Sequence, residues 1–137
     1  MILGTGIDLV EVARFEPWTA YTPERLLRVF TAAELADCRD ANGTLIAEKL
    51  AVRYAAKEAF YKALSAALVS LKLTNQQFGL LALAPLVSIR HDTWDVPTLD
   101  VVWEGIERLT GSRLPVLTVH VSLSHERTMA AAVVVIG

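Results

Sequence analysis

Hydrophobic and polar positions change rhythm several times along the chain. Residues 2–12 are rich in Ile, Leu and Val and alternate loosely, which predicts a strand. The segment "PWTAYTPE" (17–24) is turn-like, and Pro23 is well placed to open a short helix. "TAAE" (31–34) has the spacing of a capping box, predicting a helix from Thr31 to about Asp40. "ANGT" (41–44) breaks that pattern, and a long helix follows from about Thr44 to Leu68. "LVSIRH" (86–91) and "TLDVVW" (98–103) read as strands around the turn "DTWDVP", and "EGIERLTG" (104–111) as a short helix stopped by Gly111. "VLTVHVSLSH" (116–125) carries the clearest two-residue alternation in the chain. "TMAAAVVVI" (128–136) reads as a continuous apolar strand, joined to it by a "HERT" turn. The expected fold class is α+β: an antiparallel sheet packed with one long helix and short helices, in one domain over residues 1–137.

On a helical wheel, Val52, Ala56, Phe60, Ala63 and Ala67 form an apolar stripe of the long helix. Glu58 and Lys62 are four apart and share another face, with Ser65 close to it. On spacing alone they are an ordinary surface pair. The alanines at 51, 55, 56, 59, 63, 66 and 67 point instead to a helix packed on most sides, where retained charges need partners. Arg53 projects about 140° away from Glu58, so the two serve one ligand poorly within a single chain.

Composition narrows the picture. The hydrophobic fraction is 53%, high for a small domain, so part of the apolar surface is expected in a subunit interface. No apolar run reaches the about 18 residues of a membrane span, and Asp8 interrupts the first one, so neither a membrane protein nor a secretory leader is expected. The reading is a cytoplasmic protein. Net charge is −2, which gives no footprint for nucleic acid, although Arg14, Arg25 and Arg28 form a local basic group. Cys38 is the only cysteine, which excludes an intrachain disulfide and reads as a small buried hydrophobe.

Two further stretches carry chemistry. Asp8 lies inside the first strand, where a buried carboxylate needs a cation, a metal or hydrogen-bond donors. In "HVSLSH" (120–125), His120, Ser122 and Ser124 share one strand face, and Val121, Leu123 and His125 the other. Such a row is either a solvated face or a set of hydrogen-bonding groups for a phosphate. His91 reads as structural, His125 has no assigned role, and the three tryptophans read as core or interface anchors.

Taken in order, "GIDLVEV", "RYAAKEAFYKAL" and "HVSLSH", with "RVFTAAEL" (28–35) between the first two, resemble the holo-[acyl-carrier-protein] synthases, small trimeric 4′-phosphopantetheinyl transferases. The resemblance spans nearly the whole chain and is loosest over 65–115. It implies the phosphopantetheinyl transferase-like fold and transfer of the 4′-phosphopantetheine arm of coenzyme A to a serine of apo acyl carrier protein, releasing adenosine 3′,5′-bisphosphate. It implies Mg²⁺ held by Asp8 and Glu58, with Lys62 facing the pyrophosphate and active sites between subunits of a homotrimer. Arg53, Lys57, Lys62, His120, Ser122 and Ser124 are thereby assigned to coenzyme A, and Arg14, Arg25 and Arg28 to docking the acidic carrier protein. Two carboxylates suit Mg²⁺, which completes its shell with substrate phosphates and waters. The base that deprotonates the incoming serine is left open among a metal-bound water, Glu58 and Lys62. The chain departs from the family pattern at Ser65, where glycine is frequent, and at "DVP" (95–97), where a Gly-basic-Pro turn is frequent. The alternative is a non-catalytic oligomeric module of the same fold that binds carrier protein or nucleotide; a metal-dependent phosphohydrolase is a third reading.

Overall fold

A computed structural model describes residues 1–137, and its elements follow the expected order. Strand β1 (Gly4–Glu11) leads through two short 3-10 turns to α1 (Pro23–Leu26) and α2 (Ala32–Asp37). The long helix α3 (Ala47–Ser70) follows, then α4 (Leu80–Leu83), the hairpin β2 (Val87–His91) and β3 (Pro97–Val101), α5 (Trp103–Thr110), β4 (Val119–His125) and β5 (Met129–Ile136).

Local chemistry sets these boundaries. Thr31 caps α2 by accepting from the Glu34 amide, while the Glu34 carboxylate accepts from the Thr31 amide, so the capping box forms as expected. The long helix starts at Ala47, three residues later than the alternation suggests. Asp40 Oδ1 takes the amides of both Asn42 and Thr44, at 2.9 and 3.0 Å, and Leu45 bridges back to Arg39, so this stretch is spent on a turn. Gly111 ends α5 in the left-handed region, at φ 66°.

The strands form two sheets where the sequence reading has one. β1, β5 and β4 make a three-stranded antiparallel sheet with β5 in the centre, and β2 pairs only with β3. Helix α3 lies across the inner face of the larger sheet. Gly4 and Gly6 make this approach possible: a Cβ on Gly6 would stand 1.9 Å from the Ala59 carbonyl oxygen, and one on Gly4 2.1 Å from that of Ala63. The next inward position on β1 is Asp8, and the same approach brings its carboxylate within reach of Lys62 on α3.

The outer face of this sheet is divided. Ile7 and Leu9 of β1 are 68% and 63% exposed and adjoin Val133 and Ala131 of β5. On the far side of β5, Ser122 pairs with Val133 and Ser124 with Ala131, so two apolar strands are edged by one polar strand.

Candidate active site

Asp8 and Lys62 meet at the crossing of β1 and α3, and Glu58 stands one turn before Lys62 on the same helix. Lys62 Nζ donates to Asp8 Oδ1 at 3.1 Å and to the Ile7 carbonyl at 2.9 Å, and its side chain remains half-exposed. The other carboxylate oxygen, Asp8 Oδ2, is buried without a hydrogen-bond partner. A buried carboxylate oxygen left over in this way is an acceptor in want of a cation. Glu58, half-buried one turn before Lys62, accepts a hydrogen bond from the Tyr54 hydroxyl at 3.0 Å. No group of three or more His, Cys, Asp or Glu side chains converges anywhere in the chain.

Tyr54 was not singled out by the sequence, although its i, i+4 spacing to Glu58 is a legible signal. It also accepts a hydrogen bond from Arg14 Nη2 at 3.2 Å, and the Arg14 guanidinium lies 4.8 Å from its ring centroid. Phe15 and Trp18 pack against the same ring and hold it in place. Burial raises the Tyr54 pKa above the usual phenol value; the Arg14 hydrogen bond opposes this and Glu58 adds to it. The hydroxyl thus stays a proton donor to Glu58 through the neutral range. Arg14, Arg25 and Arg28 are exposed in the segment after β1, and Arg25 stacks 3.7 Å over Tyr21.

Arg53 is elsewhere, as the wheel predicts. It lines a polar cavity of about 650 Å³ between α3, the β2–β3 hairpin and β4. Lys49, Arg90, His91 and His125 bring further basic groups to its walls, and Asp37 and Asp95 bring acids. Arg53 is 95% buried, with Nη1 bound to the Lys49 carbonyl at 3.2 Å and Nε without a partner. Sequence reasoning gave His91 a structural role and left His125 unassigned; both line this cavity, and His125 contacts Glu48. His120, Ser122 and Ser124 do not line it. They are exposed on the outer sheet face, as their alternation predicts, while Leu123 and His125 on the opposite face line the cavity. Trp18 and Trp103 pack on the core, but Trp94 stands 85% exposed at the hairpin tip, not as an anchor within the chain.

Lys57 corrects the sequence reading. Its ammonium is 1% exposed and meets Glu34 at 2.7 Å, the Ala84 carbonyl at 2.7 Å and the Val87 carbonyl at 2.5 Å. Those three acceptors use all three of its N–H donors, so Lys57 is not available to coenzyme A. Burial lowers its pKa from the usual lysine value, and Glu34 works against that shift.

A sequence profile of the 4′-phosphopantetheinyl transferase superfamily matches residues 4–116. The chain is 36% identical to the holo-[acyl-carrier-protein] synthase of Treponema denticola over 136 residues, covering 99% of this chain and 98% of that protein. It is 39% identical to that of Chloroflexus aggregans over 131 residues, 95% of this chain and 91% of the relative. Among solved structures, the acyl carrier protein synthase of Mycobacterium tuberculosis superposes with TM-score 0.65 at 31% identity, covering 100% of this chain and 98% of the other. The holo-(acyl-carrier-protein) synthase of Bacillus anthracis in complex with CoA (3′,5′-ADP) does so with TM-score 0.67 at 27% identity, covering 99% and 96%.

Proposed function

The chain belongs to the 4′-phosphopantetheinyl transferase superfamily, and from that premise we propose that it moves the 4′-phosphopantetheine arm of coenzyme A onto a serine of apo acyl carrier protein. The products are holo carrier protein and adenosine 3′,5′-bisphosphate. The observation that carries this reading is the half-used carboxylate of Asp8: one oxygen on Lys62, the other buried and without a partner.

In this reading Asp8 and Glu58 would hold Mg²⁺. Bound there, it would supply charge neutralisation on the diphosphate of coenzyme A. Lys62, held by Asp8 and the Ile7 carbonyl and half-exposed, offers its remaining N–H to the leaving phosphate. Tyr54 fixes the rotamer of Glu58 by donating to it, and Arg14 fixes Tyr54. Positioning of this kind is the main demand of phosphoryl transfer, since the nucleophile arrives on the partner. Arg14, Arg25 and Arg28 dock the carrier protein. Arg14 thereby links the docking patch to the metal-binding carboxylate through a single tyrosine.

The homotrimer belongs to the same proposal. Ile7, Leu9 and Val133 form an exposed apolar patch of the kind that a second copy covers. His120, Ser122 and Ser124 border that patch, so in the assembly they rim a cleft between subunits, where they contact coenzyme A. Arg53 and the basic cavity around it serve the same cleft from the neighbouring chain and receive the 3′-phosphate end. Arg90 and His91 there supply basic groups that the "DVP" turn lacks. No helix is long and apolar enough to cross a membrane. A cytoplasmic location, shared with the carrier protein, is part of the proposal.

Incubation with apo acyl carrier protein, coenzyme A and Mg²⁺, followed by weighing the carrier protein, tests the proposal. A mass gain of one phosphopantetheine is expected. Tight carrier binding with no gain identifies a binding module, and phosphate release without any carrier protein identifies a phosphohydrolase.

A further inference from the structure

The buried pair Lys57–Glu34 takes no part in the site described above, yet it ties together α2, α3 and β2, three of the elements that line the Arg53 cavity. We propose that Lys57 and Glu34 are positioning residues that set the β2–β3 hairpin against α3 and so shape the cavity that receives coenzyme A. This rests on the functional reading given above.

The geometry is that of a missing strand. β2 pairs with β3 on one edge only. On its free edge the Val87 carbonyl accepts from Lys57 Nζ at 2.5 Å, and the Ile89 amide donates to Glu34 Oε2 at 3.2 Å. The ion pair itself, 2.7 Å long and 0–1% exposed, connects these two contacts. An acidic and a basic side chain from two helices therefore satisfy the groups that a neighbouring strand would otherwise bind. Thr31 Oγ1 adds a 2.8 Å hydrogen bond to Ser88 Oγ on the same strand.

Each clamp residue stands one short step from a residue that lines the cavity. Lys57 is one turn of α3 beyond Arg53, Glu34 is one turn of α2 before Asp37, and Ile89 immediately precedes Arg90 and His91. Moving the clamp moves three walls together. A salt bridge placed only for stability has no need of the two backbone contacts to β2, since packed apolar side chains serve stability as well or better. The backbone contacts fix the hairpin's register against the helices, and only a donor at 57 and an acceptor at 34 make them.

The test uses the full chain with the paired substitution Glu34→Gln and Lys57→Met, which leaves no unpaired buried charge, and the milder Ser88→Ala. Three quantities are read: amide hydrogen exchange across Val87–Val101, the dissociation constant for coenzyme A without carrier protein, and kcat at saturating coenzyme A. Hairpin exchange in the paired variant is expected to rise by at least about tenfold relative to the amides of α3. Coenzyme A affinity is expected to fall by about tenfold or more, while kcat stays within about threefold. Ser88→Ala moves exchange and affinity in the same direction by a smaller factor. A wild-type chain that binds coenzyme A, with either variant folded and showing unchanged hairpin exchange and unchanged affinity, overturns the inference. A wild-type chain that does not bind coenzyme A overturns the functional reading, and this inference falls with it.

Discussion

Asp8 and Lys62 meet with 3.1 Å between Oδ1 and Nζ, and the contact occupies only half of the carboxylate. The two residues are 54 positions apart in sequence, and only the close seating of β1 on α3 brings them together.

Asp8→Asn retains the shape of the side chain and removes the charge that a cation needs. Carrier-protein modification is expected to fall by at least about 100-fold. The melting temperature should fall little or not at all: Lys62 is half-exposed, and removing the charge also relieves a carboxylate oxygen buried without a partner. Mass spectrometry of the carrier protein and thermal unfolding of the variant check both halves. Full activity would refute the metal assignment.

Tyr54→Phe preserves the ring that packs on Phe15 and Trp18 and deletes the hydroxyl between Arg14 and Glu58. The expected loss is about tenfold in kcat with little change in KM for coenzyme A, as for a group that orients a metal ligand. Steady-state kinetics separates the two. A change confined to KM would place the hydroxyl's role in binding instead.

Exchanging Arg14 and Arg28 for Glu should raise KM for the carrier protein by about tenfold or more and flatten its dependence on salt. Affinity for coenzyme A should stay as it was. Titrations of each substrate at two ionic strengths decide this, and an unchanged carrier KM would move the docking surface elsewhere.

Burial pushes the Cys38 thiol up to about 11 from 9.0; Arg53 opposes the shift and Glu34 adds to it. The native thiol therefore keeps its proton at pH values where the unfolded chain has already lost it. Cys38 contributes stability below about pH 9 that drains away as the pH climbs towards 11. Comparing urea midpoints of the wild type and Cys38→Ala across that window should show a steeper alkaline fall in the wild type. Parallel curves would contradict the assignment.

Much of this was legible from residue order. The capping box at Thr31, the stop at Gly111, the alternation of β4 and the opposite bearings of Arg53 and Glu58 are local properties, and local spacing encodes them. Lys57 was not legible. A lysine beside Glu58 looks the same on a wheel whether it faces a ligand or a neighbouring backbone, and its acceptors at Ala84 and Val87 lie 27 and 30 residues away. His125 escaped for the same reason, since its cavity is assembled from five separate elements. The split into two sheets was hidden because a strand's sequence records its own faces but not its partners.

The opposed bearings of Arg53 and Glu58 on α3 carry one more consequence. If each cleft joins Glu58 of one chain to Arg53 of the next, two dead enzymes can repair one another. Arg53→Met, which keeps the buried stem, and Glu58→Ala would each be inactive alone. Unfolded together and refolded as a mixture, they should recover activity at about one boundary in four, where an intact glutamate faces an intact arginine. Assays of the mixture against each parent would show this complementation, and its absence would place both residues in the service of a single chain.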